Sequence, residues 1–236
     1  MPQTLVAGAA VPPASPSPDS SRRDLLMQKL AIRVVAAIVV LGALGVLFVR
    51  SARDARATPY TVGRDQLTRW TLALDPASER SGRLLSLQAD PMLSGGLFKQ
   101  IFARAAESMS APAIGAIPIV LTSEFDAAMA AQVTPQALLQ MARTAGLDQA
   151  RPEPVCVALR RVSEPGVTRQ AYFVLFSLPA FDAFRRQVAA RLGTSSAFDA
   201  SAQSPVALVA ASDDAFERWL PIHADAADCT APITVQ

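Results

Sequence analysis

Cys156 and Cys229 are the only cysteines among 236 residues, and His223 is the only histidine. These counts bound the chemistry before any fold is considered. The two thiols lie far apart in sequence, unlike the C-x-x-C spacing of thiol-exchange proteins, so a structural disulfide is the chemistry they suit. A histidine-based metal centre would need carboxylates to complete it, and no ligand spacing of the usual kinds is present. The sequence therefore predicts no metal and no cofactor.

Nucleophilic catalysis is the remaining option. His223, with Asp225 close by, could activate a serine, and Ser195 and Ser196 lie in Gly193-Thr-Ser-Ser-Ala197. That segment is distantly similar to a nucleophile elbow with Ala in the last glycine place. An elbow needs a strand before it and a helix after it, whereas Gly193 follows a helical pattern, so a loop is the better reading and no catalytic residue is assigned. Glu124 with Asp126, and Asp213 with Asp214 and Glu217, fall at expected helix starts, where capping and the helix dipole account for them.

What must carry these residues is set by an apolar run. Val34 to Val49 contains no charge, and Arg33 and Arg50 flank it. Residues 30–49 read as a transmembrane helix, because about 20 residues at roughly 1.5 Å each match a hydrocarbon core of about 30 Å. Arg33 can snorkel to the headgroups from the edge. Ala55-Arg56-Ala57 has a small-x-small form, yet the long leader and the Arg within it favour a retained signal anchor over a cleaved signal. Ser21-Arg22-Arg23-Asp24-Leu25-Leu26 resembles a twin-arginine export signal but departs at Met27, where a basic residue usually follows, and an ordinary basic juxtamembrane cluster is the simpler reading.

Residues 1–29 read as a disordered Pro/Ser-rich cytoplasmic tail with a basic juxtamembrane segment, 50–66 as a linker and 67–236 as one domain. Four basic residues before the span against three after it lean towards a cytoplasmic tail. The cysteine pair lies after the span and suits an oxidising compartment, which places the domain outside the cytoplasm. Net charge is only +2, and Arg160-Arg161 and Arg185-Arg186 are isolated pairs, so nucleic-acid binding has no support. Lys29 and Lys99 are the only lysines and Asn is absent, a compositional bias that also leaves no glycosylation sequon.

Within the domain, Arg69–Asp75 and Arg83–Asp90 alternate as a hairpin would, and Ser94–Met109 has the apolar spacing of a helix, with Phe98 and Phe102 assigned to its core face. A strand over Pro118–Ser123 precedes a helix opened by Thr134-Pro135 and closed by Gly146. Pro154–Val162 and Arg169–Ser177 are strands about a turn at Glu164-Pro165-Gly166, the second apolar on both faces as in a central strand. A helix from Pro179 to Gly193, a strand over Pro205–Ala211 and a further helix from Ser212 or Asp213 to before Pro221 complete the chain. The fold class expected is α+β: one N-terminal transmembrane helix, then an extracytoplasmic domain with a ferredoxin-like (βαββαβ) core preceded by a β-hairpin and a helix.

The function expected is that of a single-pass bacterial inner-membrane protein, held in the lipid bilayer by residues 30–49. Its periplasmic or extracytoplasmic domain would bind an envelope protein without catalysis. The alternatives are an envelope serine hydrolase or transferase using Ser195 or Ser196 with His223, and a small-ligand sensor with an apolar pocket over the sheet.

Overall fold

A computed structural model describes residues 18–105, 107–194, 196–213 and 223–236. The chain divides into two compact units at Ala52/Arg53. Helix α1 runs Pro18–Ala57, so the basic stretch before the apolar run is helical too. Within it Ile32–Ser51, 20 residues of mean hydropathy 2.7, are long and apolar enough to cross a membrane. The described side chains of that stretch are all exposed, with Leu41 at 68% and Phe48 at 75%.

The second unit is mixed α+β. Strand β1 (Tyr60–Val62) and a 3-10 turn (Arg64–Leu67) occupy the stretch read as linker. The expected hairpin forms from β2 (Trp70–Leu74) and β3 (Arg83–Ala89), in register from Trp70 opposite Ala89 to Leu74 opposite Leu85. Its connection holds the short helix α2 (Ser78–Ser81), and Gly82 takes the left-handed φ of +69° that turns the chain back. Helix α3 (Pro91–Arg104) starts three residues before the apolar pattern suggests, because the Asp90 carboxylate accepts the Met92 N–H at 2.8 Å and Pro91 fits the first helical position.

Strand β4 (Ala116–Leu121) follows, and α4 (Thr122–Ala128) begins where the strand was expected to continue. Helix α5 (Pro135–Thr144) is capped as its sequence demands, with Thr134 Oγ1 accepting the Ala137 N–H. Strands β5 (Glu153–Glu164) and β6 (Val167–Ser177) form a long hairpin closed by Pro165 and Gly166. Helix α6 (Pro179–Leu192), β7 (Val206–Ala211), a 3-10 turn (Ala226–Asp228) and β8 (Cys229–Val235) complete the unit. The helix expected after Ser212 lies outside the described residues, as do Trp219, Ser195 and residues 1–17 of the expected tail.

The element order β-α-β-β-α-β is the one read from the sequence; the strand pairing is not ferredoxin-like. That arrangement would place β4 between β6 and β7 in one sheet. Instead β4 pairs with β3 in a three-stranded sheet, β2-β3-β4, and β6 pairs directly with β7 in a five-stranded sheet, β1-β8-β5-β6-β7. Pro118 gives a physical reason. It stands inside β4, opposite Ser86 of β3, and a proline cannot donate to a ladder, which suits a strand bonded on one side better than a central one.

One core cluster joins the two sheets. Leu85 and Leu87 of β3, Ile117 and Ile119 of β4, Leu97 and Ile101 of α3, Val174 and Phe176 of β6, and Phe181 and Phe184 of α6 all belong to it. The opposite face of the five-stranded sheet buries Cys156, Ala158, Phe173, Leu175 and Val206. Apolar residues on both faces of β6 are therefore explained: it is central and covered on each side.

Candidate functional site

The disulfide predicted from composition is present between Cys156 and Cys229, with Cα atoms 5.7 Å apart. Cys229 begins β8, a strand beside β5. The bond ties neighbouring strands, and Thr230 adds a hydroxyl donation to Val157 O at 2.9 Å. Closing a loop with a sequence separation of 73 residues stabilises the fold by about 4 kcal/mol in the chain-entropy model.

Of the residues considered for serine chemistry, Ser195 lies outside the described residues. Ser196 Oγ accepts the Phe198 N–H at 3.2 Å, a turn-forming role. His223 is exposed, and no hydrogen bond joins it to Ser196 among the described residues. Its neighbour Ala224 exchanges two hydrogen bonds with Ser204, the Ser204 hydroxyl donating to Ala224 O and accepting the Ala224 N–H. Among the described residues no group of three His, Cys, Asp or Glu side chains is placed to hold a metal ion.

An apolar cavity lies between the sheets, lined by Trp70, Leu93, Leu97, Phe176 and Val209 among others. It holds about 10 Å³, room for about one water and far below the several hundred Å³ of a small-molecule site. No known family model, curated protein or solved structure matches the chain. Any functional reading must therefore come from its own surfaces and polar groups.

The most elaborate polar cluster was not legible as a site. Arg185 is fully buried on the apolar face of α6, and each of its five N–H groups has one acceptor. Nε donates to Ala200 O, Nη1 to Ile119 O and Glu124 Oε2, and Nη2 to Glu124 Oε1 and Asp199 O. Glu124 also accepts from the Leu121 N–H and from Gln203 Nε2. With every donor satisfied, Arg185 has none left for a ligand, so the cluster locks α6, β4, α4 and the 198–203 loop together. The sequence signal was its position: residue 185 falls among Phe181, Phe184, Val188 and Leu192 at core spacing.

A second buried cluster closes the β2–β3 connection. Asp75 pairs with Arg83 at 3.3 Å, accepts the Ser81 hydroxyl at 2.8 Å and the Ala77 N–H at 2.9 Å. Burial pushes its carboxyl pKa up, but the Ala77 N–H, the Ser81 hydroxyl and Arg83 together hold it below the usual value.

Among the described residues two exposed surfaces stand out. The β5–β6 ribbon continues pairing from Arg160 opposite Ala171 to Glu164 opposite Val167, past the last β8 partner at Ala158 and the last β7 partner at Ala171. It exposes Arg160, Arg161, Val167 and Thr168. The other surface is the outer side of α3, where Met92 is 62% and Phe102 52% exposed, although the apolar spacing assigned Phe102 to the core.

Proposed function

We propose that this chain is a single-pass protein of the bacterial inner membrane, anchored by the span in α1, whose extracytoplasmic domain binds a protein partner and performs no catalysis. The observation that carries the reading is the combination of the Ile32–Ser51 span with a disulfide in the domain that follows it. A disulfide persists in oxidising compartments and is rare in the cytoplasm, which supports a cytoplasmic tail and an outer domain.

The projecting β5–β6 ribbon supports partner binding. Past Ala158 the distal part of β5 pairs with no strand but β6 among the described residues, so its outer edge can accept an added strand. Arg160 and Arg161 suit an acidic partner surface. Ser196 is held in a turn by the Phe198 N–H and His223 is exposed, which lends no support to a hydrolase built on that pair.

The test is site-specific photocrosslinking from Val167 in the full chain, expressed in a bacterial host of the kind proposed. The reading expects a discrete adduct of defined mass that disappears in the Arg160→Glu, Arg161→Glu variant. Crosslinks absent at Val167, or unaltered by charge reversal, would contradict the assigned surface.

A further inference from the structure

The outer edge of distal β5 reads Arg160-Arg161-Val162-Ser163-Glu164. Charge runs from basic at one end to acidic at the other, with an apolar residue at the middle. Such an order complements itself when a second copy is laid against it in the opposite direction. Alternate residues of a strand share a face. Arg160 and Val162 therefore lie on the face of their β6 partners Ala171 and Arg169. Arg161 is on the other face, where its Nε donates to Gln170 Oε1 at 3.2 Å.

We infer that this edge pairs antiparallel with the same edge of a second copy of the chain, about a two-fold axis at Val162. In that register Arg160 stands opposite the copy's Glu164, Val162 opposite its own counterpart, and Arg161 opposite the copy's Ser163. No like charges are opposed, and the contact is isologous, so it closes at two chains.

The alternatives are poorer. Directly opposed residues share a face, so a two-fold perpendicular to the sheet must pass through a residue paired with itself. An axis at Arg161 sets that arginine against its own counterpart. An axis at Ser163 sets Arg161 opposite Pro165, which has no N–H for the ladder. Parallel pairing in register opposes each charge to its own kind. Edge charges commonly keep strands from pairing; here they oppose these arrangements and favour one.

Five paired residues make a small interface beside the roughly 1,200 Å² of a stable complex. The span supports it by confining copies to one membrane, which raises their effective concentration. The inference names the partner in the binding reading above and rests on that reading.

The experiment uses the full chain in membranes of the bacterial host, oxidised and run on a non-reducing gel. Cys156 and Cys229 are already paired, so an introduced cysteine is the reporter. Val162→Cys is expected to shift most of the chain to twice its mass, because a residue opposite its own counterpart brings the two Cβ atoms to about 4.5 to 5.5 Å. Thr168→Cys, on β6, is expected to stay at the mass of one chain, since three strand spacings of about 4.8 Å separate it from its counterpart. In the Val162→Cys background, Arg160→Glu should cut the dimer by about fivefold, as two opposite-charge pairs become like-charge pairs. Adding Glu164→Arg should restore it.

If Val162→Cys gives no dimer while the Val167 adduct contains a different protein, the second copy is overturned and partner binding stands. Absence of both dimer and adduct overturns the binding reading as well. Equal dimer from Val162→Cys and Thr168→Cys, or a dimer that Arg160→Glu leaves intact or the exchanged pair fails to restore, overturns the inferred pairing.

Discussion

Arg185 and Glu124 form a two-pronged ion pair, Nη2 to Oε1 at 2.7 Å and Nη1 to Oε2 at 3.2 Å, with the arginine fully buried. The pair bridges α6 to the start of α4, where β4 ends. Nη1 also satisfies Ile119 O of β4, so a carbonyl of a strand that pairs only with β3 finds its partner in a side chain instead of in a neighbouring strand. Phe198 and Phe181 lie against the guanidinium at 4.7 and 5.6 Å from their ring centroids.

Removing the cation should therefore cost more than one contact. Arg185→Met leaves Glu124 and three carbonyls short of donors, and breaking a buried pair from one side destabilises by about 3 to 5 kcal/mol. Urea unfolding of the detergent-solubilised full chain, followed by tryptophan fluorescence, should show this loss. Replacing both partners, Arg185→Met with Glu124→Leu, should recover part of it; a single variant with an unchanged midpoint would show that the cluster does not lock these elements.

The disulfide should contribute independently of that cluster, since it lies on the opposite face of the five-stranded sheet. Cys156→Ser with Cys229→Ser is expected to lower stability by about 4 kcal/mol. The wild-type chain unfolded in reductant should match the double variant. Agreement of oxidised wild type with the variant would remove the stabilising role.

Acid should weaken the β2–β3 connection through Asp75. Its folded pKa lies below the unfolded value, so the stability it contributes is fully present above the ordinary carboxylate pKa of about 4 and is lost as pH falls below that through the folded value. Asp199, held low by the Ser201 hydroxyl and N–H, acts in the same direction from the surface. Urea midpoints at pH 6 and pH 3 should differ less for Asp75→Asn than for wild type. An equal acid loss in both proteins would assign it to other groups.

Gly115 is a close approach, not a flexible joint. A Cβ there would lie 2.6 Å from Ser94 Cβ, in the first half of α3. Gly115→Ala should destabilise by about 1 to 3 kcal/mol through overpacking, and Ser94→Gly should relieve it in the double variant. A Gly115→Ala chain as stable as wild type would mean that α3 shifts freely at this point.

Much of the fold was legible because local signals and burial agree. Thr134-Pro135, Pro179 with Gly193 and the Pro165-Gly166 turn each mark a boundary through backbone chemistry that tertiary packing does not override. The run at Tyr172–Phe176 announced a strand covered on both faces, and Pro205–Ala211 announced another strand. Sheet membership was not legible: β4 looks alike whether it pairs with β3 or with β6, and only Pro118, once placed inside the strand, favours the first. The Cys156–Cys229 pair was readable from count and compartment, but the neighbouring strand that carries Cys229 was hidden among Ala, Asp and Thr residues with weak alternation. Arg185 and Phe102 are reversals of the ordinary polarity rule. One is a charge placed inside by five acceptors, the other an aromatic left outside, and only three-dimensional neighbours reveal either.

The most direct test of the central claim, a disulfide-stapled domain anchored outside the cytoplasm, is mass-tagging of the two cysteines in cells. Bacteria expressing the full chain are acid-trapped, denatured and treated with a polyethylene-glycol maleimide, with and without prior exposure of outer-membrane-permeabilised cells to a membrane-impermeant reductant. The account expects no tag on untreated protein and two tags after the impermeant reductant, because Cys156 and Cys229 are paired and face the periplasm. Two tags without reductant would place reduced thiols in the cytoplasm and contradict it.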